Sequence, residues 1–179
     1  MLRRPDYQGL LLCRLEAEVF EASVSYFKGS SELFVRRFIH SSLARKFDSK
    51  DILNDNASFA KCLAMLKDEC GDITYGKEKI DPDIMYWMGY MYRFFCLTYD
   101  ISSTQAYKIL TPRALGGVYP GYHTMDCSMA IERMLEARCI SFEAEALEER
   151  AKELYRRFLK EEKARAGKRK RPCDKRSRI

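Results

Sequence analysis

The chain has few side chains able to do acid–base or metal chemistry, and their spacing is informative. There are two histidines in 179 residues. His40 ends the run Arg36-Arg37-Phe38-Ile39-His40, with three residues between Arg36 and His40 and two between Arg37 and His40. Helical ribonuclease toxins of the HEPN type place Arg and His about four to six residues apart on a helix, a pattern this spacing does not match, and geometry decides before pKa does. The pattern therefore predicts a helix-surface histidine and no ribonuclease site. His123 sits in Tyr122-His123-Thr124-Met125-Asp126, where Thr124 or Asp126 can cap a following helix. The seven cysteines show no CxxC pairing. Without clustered ligands they read as small buried thiols in a reducing compartment, and no metal is expected. There is no GK[ST] phosphate loop and no GxSxG elbow. Nothing pairs a nucleophile with a base, so the expectation is a non-enzyme without a cofactor.

Arg93 is the exception, a lone charge inside the most apolar stretch, Ile84–Tyr99. A buried guanidinium needs an acid, because leaving it unpaired costs several kcal/mol. Asp126 and Glu132 are the candidate partners. The other reading is a polar network or ligand cleft built from Tyr86, Arg93, Tyr107, His123 and Asp126. The stretch spans 16 residues. A membrane span needs about 20, so this is a core helix. Leu10–Leu12 is too short for a signal-peptide core, and the expected location is cytoplasmic.

The elements that must position these groups are helical. A first helix is expected from about Pro5 to Lys28, stopped by Gly29. Ser30 caps a second, whose Phe34, Val35, Phe38 and Ile39 share a face. Asn56 is expected to cap a third that runs through Glu69. Asp81-Pro82 starts the central helix, with Ile84, Trp87, Met88, Met91, Phe94, Phe95 and Thr98 on one face and Tyr86, Gly89, Arg93 and Leu97 opposite. Trp87 is expected to be deeply buried. Ser102 and Gln105 form a capping box. From Thr111 to Met125, Gly116, Gly117, Pro120 and Gly121 argue for loop. A helix from Asp126 to Arg138 follows. The fold class is all-α, a compact multi-helix domain around a central aromatic helix, with residues 1–140 as the core.

The formal charge of +6 is not uniform. Residues 163–179 hold nine Lys or Arg and one Asp, so the other 162 residues carry −2. Ile140, Ala144, Leu147, Ala151, Leu154 and Phe158 recur at alternating spacings of four and three, a coiled-coil seam. Residues 141–166 are thus expected to form a C-terminal amphipathic helix, either packed on the core or offered to a helical partner. Residues 167–179 are read as a disordered basic tail. Its Lys168, Arg169, Lys170 and Arg171 suit nonspecific nucleic-acid contact.

Several segments together resemble a family of small all-helical proteins found in toxin–antitoxin-like gene cassettes of gut bacteria. These are Ser30–Phe38, Tyr86–Arg93, Ala106–Lys108 and Tyr122–Asp126 with Ala130–Arg133. The resemblance implies an accessory or antitoxin-like role, often beside ADP-ribosyltransferase-like toxins, and assigns no activity. The expected function is a partner-binding regulatory protein whose contacts use Leu147, Leu154, Phe158, Arg36 and Arg37. The alternative is a DNA-binding transcriptional regulator with a helix-turn-helix-like element at residues 83–110, where Ser103, Thr104, Gln105 and Lys108 would face DNA.

Overall fold

The computed structural model describes residues 4–55 and 57–142. Among them are eight α-helices, one short 3-10 turn at Asp51–Leu53 and no strand. Contacts group the chain into two compact units, residues 1–134 and 135–179. Of the second, only residues 135–142 are described. The amides of Arg138 and Ile140 donate back to the Leu135 carbonyl, and Cys139 adopts a left-handed φ of 54°.

Local chemistry accounts for where most helices begin. In α1 (Tyr7–Tyr26) the Asp6 carboxylate accepts from the Gly9 amide at 2.8 Å. Ser30 caps α2 (Ser31–His40), and Ser41 caps the short α3 (Ser42–Asp48). For α4 (Phe59–Cys70) the cap is Ser58, two residues after the expected Asn56, and Gly71 closes it with a φ of 70°. Asp81 and Pro82 open α5 (Pro82–Tyr99) as expected, and Asp100 ends it in the left-handed region. Both halves of the Ser102/Gln105 capping box form at α6 (Ser103–Ile109).

The expected loop at 111–125 is instead mostly helix, α7 (Pro112–Tyr122). Thr111 accepts from the Ala114 amide, and Pro112 occupies the first turn, the same start that Asp81-Pro82 gives α5. Fully buried Leu115 anchors it, so tertiary burial overrides the poor propensity of its glycines. Asp126 then caps α8 (Cys127–Glu136), its Oδ1 accepting from Ser128 at 2.9 Å.

The core is organised on α1 against α5. Gly9 lies against Leu97, and Gly89 against Glu16 and Ala17, so the two helices run antiparallel. A Cβ built on Gly89 would stand 2.8 Å from the Glu16 carbonyl oxygen and 3.0 Å from Ala17 Cα, which places backbone against backbone. That close approach is what glycine permits in mid-helix. Phe20 of α1 fills the adjacent space, edge-on to Phe34 at 5.3 Å and to Phe38 at 5.0 Å. Consequently α5 is buried on both of its expected faces, with Gly89 and Arg93 as deep as Met88, Met91 and Phe95. Trp87 is only half-buried, contrary to expectation, and meets Tyr119 of α7 edge-on at 5.5 Å.

Residues 72–80 form neither helix nor strand but are tied down. The amides of Gly29, Ser30 and Ser31 donate to the carbonyls of Ile73, Tyr75 and Glu78, and Lys79 Nζ donates to the Phe27 carbonyl. This strap fixes the corner between α1 and α2.

Candidate functional site

Arg93 is 1% exposed and is, among the described residues, the largest fully buried side chain. The turn of α5 that brings Gly89 against α1 also aims Arg93, one turn on, at Glu16. Nε donates to Glu16 Oε2 at 2.7 Å. Nη1 donates to Asp48 Oδ1 at 2.8 Å, and Nη2 to Ser103 Oγ at 2.8 Å. The Ser103 hydroxyl in turn donates to Asp48, which also accepts from the Ser103 amide at 3.1 Å. The guanidinium lies 5.3 Å from the centre of the Phe47 ring. One arginine therefore joins α1, α3, α5 and α6.

The two carboxylates are not equivalent. Asp48 keeps 24% of its side chain exposed, whereas Glu16 has none. Glu16 Oε1 is buried with no hydrogen-bond partner. Burial pushes the Glu16 carboxyl up to about 7 despite Arg93, and the charge on Asp48 pushes the same way. For Arg93, burial opposes the charge, but Glu16, Cys96 and Asp48 outweigh it and the guanidinium stays cationic. Burial also pushes the Cys96 thiol up to about 12 and the Cys62 thiol up to about 11, so both are poor nucleophiles. The Cys13 thiol and the Tyr92 phenol are likewise raised by burial, and Tyr92 donates to the Leu110 carbonyl. Chemically the cluster can hold charge and proton in a dry interior, while most of it is sealed from substrate.

Arg93 is thus paired as the sequence requires, but with other acids than those expected. Asp126 spends its carboxylate on the amides of Ser128 and Met129, and Glu132 is exposed. The network imagined around Tyr86, Tyr107, His123 and Asp126 does not converge on Arg93. Tyr86 is half-exposed, and Tyr107 meets the His40 ring edge-on at 6.2 Å. His123 stacks on Tyr119 at 4.7 Å with Nδ1 2.9 Å from the Tyr119 carbonyl, a helix-end contact. Arg36 and Arg37 are exposed on α2. Leu147, Leu154, Phe158 and Lys168–Arg171 lie outside the described residues.

Sequence reasoning missed Glu16 and Asp48 and assigned Ser103 to DNA contact instead of to Arg93. Glu16 carried a signal, because it sits one turn from both Leu12 and Phe20 on the apolar stripe of α1. Asp48 and Ser103 look like ordinary helix-end polar residues and carried none.

Three of the four residues nominated to face DNA are engaged within the chain, Thr104 through a 3.0 Å contact between its hydroxyl and that of Ser102. Ser103 is buried in the Arg93 cluster, and the Gln105 side chain accepts from the Ser102 amide at 2.9 Å. Among the described residues no group of His, Cys, Asp and Glu is arranged to hold a metal, and no helix is long and apolar enough to cross a membrane. The chain matches no known family profile, no curated protein and no solved structure.

Proposed function

We propose that this chain is a partner-binding regulatory or accessory protein, an antitoxin-like component of a bacterial toxin–antitoxin or defence-type cassette. One observation carries the binding role. Its most reactive-looking groups, Arg93, Glu16, Asp48 and Ser103, are bonded to one another between four helices, which leaves recognition to the surface. The cassette role draws on the resemblance of residues 30–38, 86–93, 106–108, 122–126 and 130–133. In this reading Leu147, Leu154 and Phe158 present an apolar seam to a helical partner, and Arg36 and Arg37 supply charged contacts on α2. The basic run Lys168–Arg171 adds salt-sensitive, sequence-independent contact with nucleic acid. The test is capture of partner from the native host by the full chain and by Leu147→Glu with Leu154→Glu. Circular dichroism serves as the folding control. Loss of capture with the fold intact supports the proposal; equal loss of both returns the seam to intramolecular packing and removes the role.

A further inference from the structure

We infer that a groove between α1, α4 and the start of α5 binds a cationic amphipathic peptide segment, one in which Arg or Lys flank an apolar side chain. The groove encloses about 440 Å³, and its apolar surface comes from Ala22, Val24, Phe59 and Pro82. That is room for one or two side chains, at the small end of the range of roughly 300–1,000 Å³ typical of binding pockets. Phe59, at the first position of α4, is 43% exposed and offers its ring to the groove. Glu18 and Glu21 line the α1 side. They stand three residues apart on one helix, hence about 5–6 Å between their Cβ atoms. Both are exposed, and no described cation lies within ion-pair distance of either.

The sign of the occupant follows from this charge. The N-termini of α4 and α5 open here, each equivalent to about half a positive charge. The two full negative charges of Glu18 and Glu21 outweigh those dipoles. A purely apolar ligand would leave the acids unused, and a purely basic one would leave Phe59 uncovered. A segment carrying both chemistries satisfies the groove. This surface is separate from the seam at Leu147 and Leu154. The inference rests on the partner-binding role only in expecting a protein ligand, and the two stand or fall on different variants.

The experiment titrates the full chain into a fluorescent synthetic peptide of about 14 residues, with Leu at helical spacing and Arg between. A second peptide of equal charge carries Ser in place of Leu. The expected result is that Glu18→Lys with Glu21→Lys weakens binding about tenfold or more, a change of about 1.4 kcal/mol. Phe59→Ser should weaken it severalfold, and the Ser peptide should bind at least about tenfold more weakly than the Leu peptide. Reversal of two exposed acids elsewhere, Glu32→Lys with Asp68→Lys, should change it less than about twofold. Equal loss from both charge reversals, or equal binding of both peptides, would overturn the inference in favour of diffuse charge attraction. Sedimentation of the free chain adds another decisive outcome. Self-association abolished by Glu18→Lys with Glu21→Lys, without peptide binding, would make the occupant a second copy and also overturn it. Should the double reversal unfold the chain, Glu18→Gln with Glu21→Gln and Phe59→Ser carry the same comparison.

Discussion

Glycine serves α5 and α7 in opposite ways. Gly89 of α5 lets two helix backbones touch, and any side chain there would meet the Glu16 carbonyl and Ala17 Cα. Around Gly116, Gly117 and Gly121 of α7, an added Cβ would meet nothing within 4 Å. The first glycine relieves a steric conflict, while the other three only add backbone entropy to a helix that also contains Pro120. One residue type thus marks a backbone-to-backbone helix crossing and one of the intrinsically weak helices. Context separates them: Gly89 is embedded among methionines and aromatics, and the α7 glycines neighbour one another.

The largest expected effect tests the α5 side of that contrast. Arg93→Ala strands the Glu16 and Asp48 carboxylates and should cost about 3–5 kcal/mol in chemical denaturation. A loss below 1 kcal/mol would mean the cluster is better solvated than its geometry implies. Next, Gly89→Ala should cost about 1–3 kcal/mol by forcing α1 and α5 apart. A neutral result there would erase the distinction between the two helices.

A third effect is a pH dependence. Because Glu16 is pushed up to about 7 in the fold from an unfolded value near 4.5, the folded chain holds this proton more tightly than the unfolded chain. Its contribution therefore favours folding in acid and is lost as pH rises from about 4.5 through 7. Across that window wild type should lose on the order of 2–3 kcal/mol relative to Glu16→Gln, which has no proton to release. The difference between the two stability curves isolates Glu16 from the surface acids, and parallel curves would refute the assignment. Smallest, and opposite in sign to Gly89→Ala, Gly117→Ala should stabilise by about 0.5–1 kcal/mol, read as a rise in melting temperature. Destabilisation at Gly117 would show that α7 needs its glycines for something other than the described packing.

Legibility followed the range of the interaction. The starts of α2, α5 and α6 rest on caps within three residues, and Ser30, Asp81-Pro82 and Ser102/Gln105 announce them. The all-helical class is likewise written in local periodicity. By contrast α7 hides behind its composition, because what holds it is burial of Leu115 in the tertiary structure. For the candidate site, the need of Arg93 for an acid was legible in its apolar surroundings. Which acid was not, since Asp48 and Glu16 lie 45 and 77 positions away and helical period does not say which helix packs opposite. Trp87 was misplaced for the same reason: the wheel grouped it with Met88 and Met91, but which helices cover each position is set by tertiary packing, and Trp87 is left half-buried.

The Glu16–Arg93 pair also sets an order of events during synthesis. Glu16 leaves the ribosome 77 residues before its counter-ion, a delay of roughly 4–15 s at translation rates of about 5–20 residues per second. During that interval α1 has a carboxylate on its apolar stripe and no cation to meet it, so burying that stripe costs its desolvation or its protonation. Ser103, which completes the cluster, emerges ten residues later still. A chain that stops short of Arg93 should remain accessible to protease and chaperone, whatever helices it has already formed.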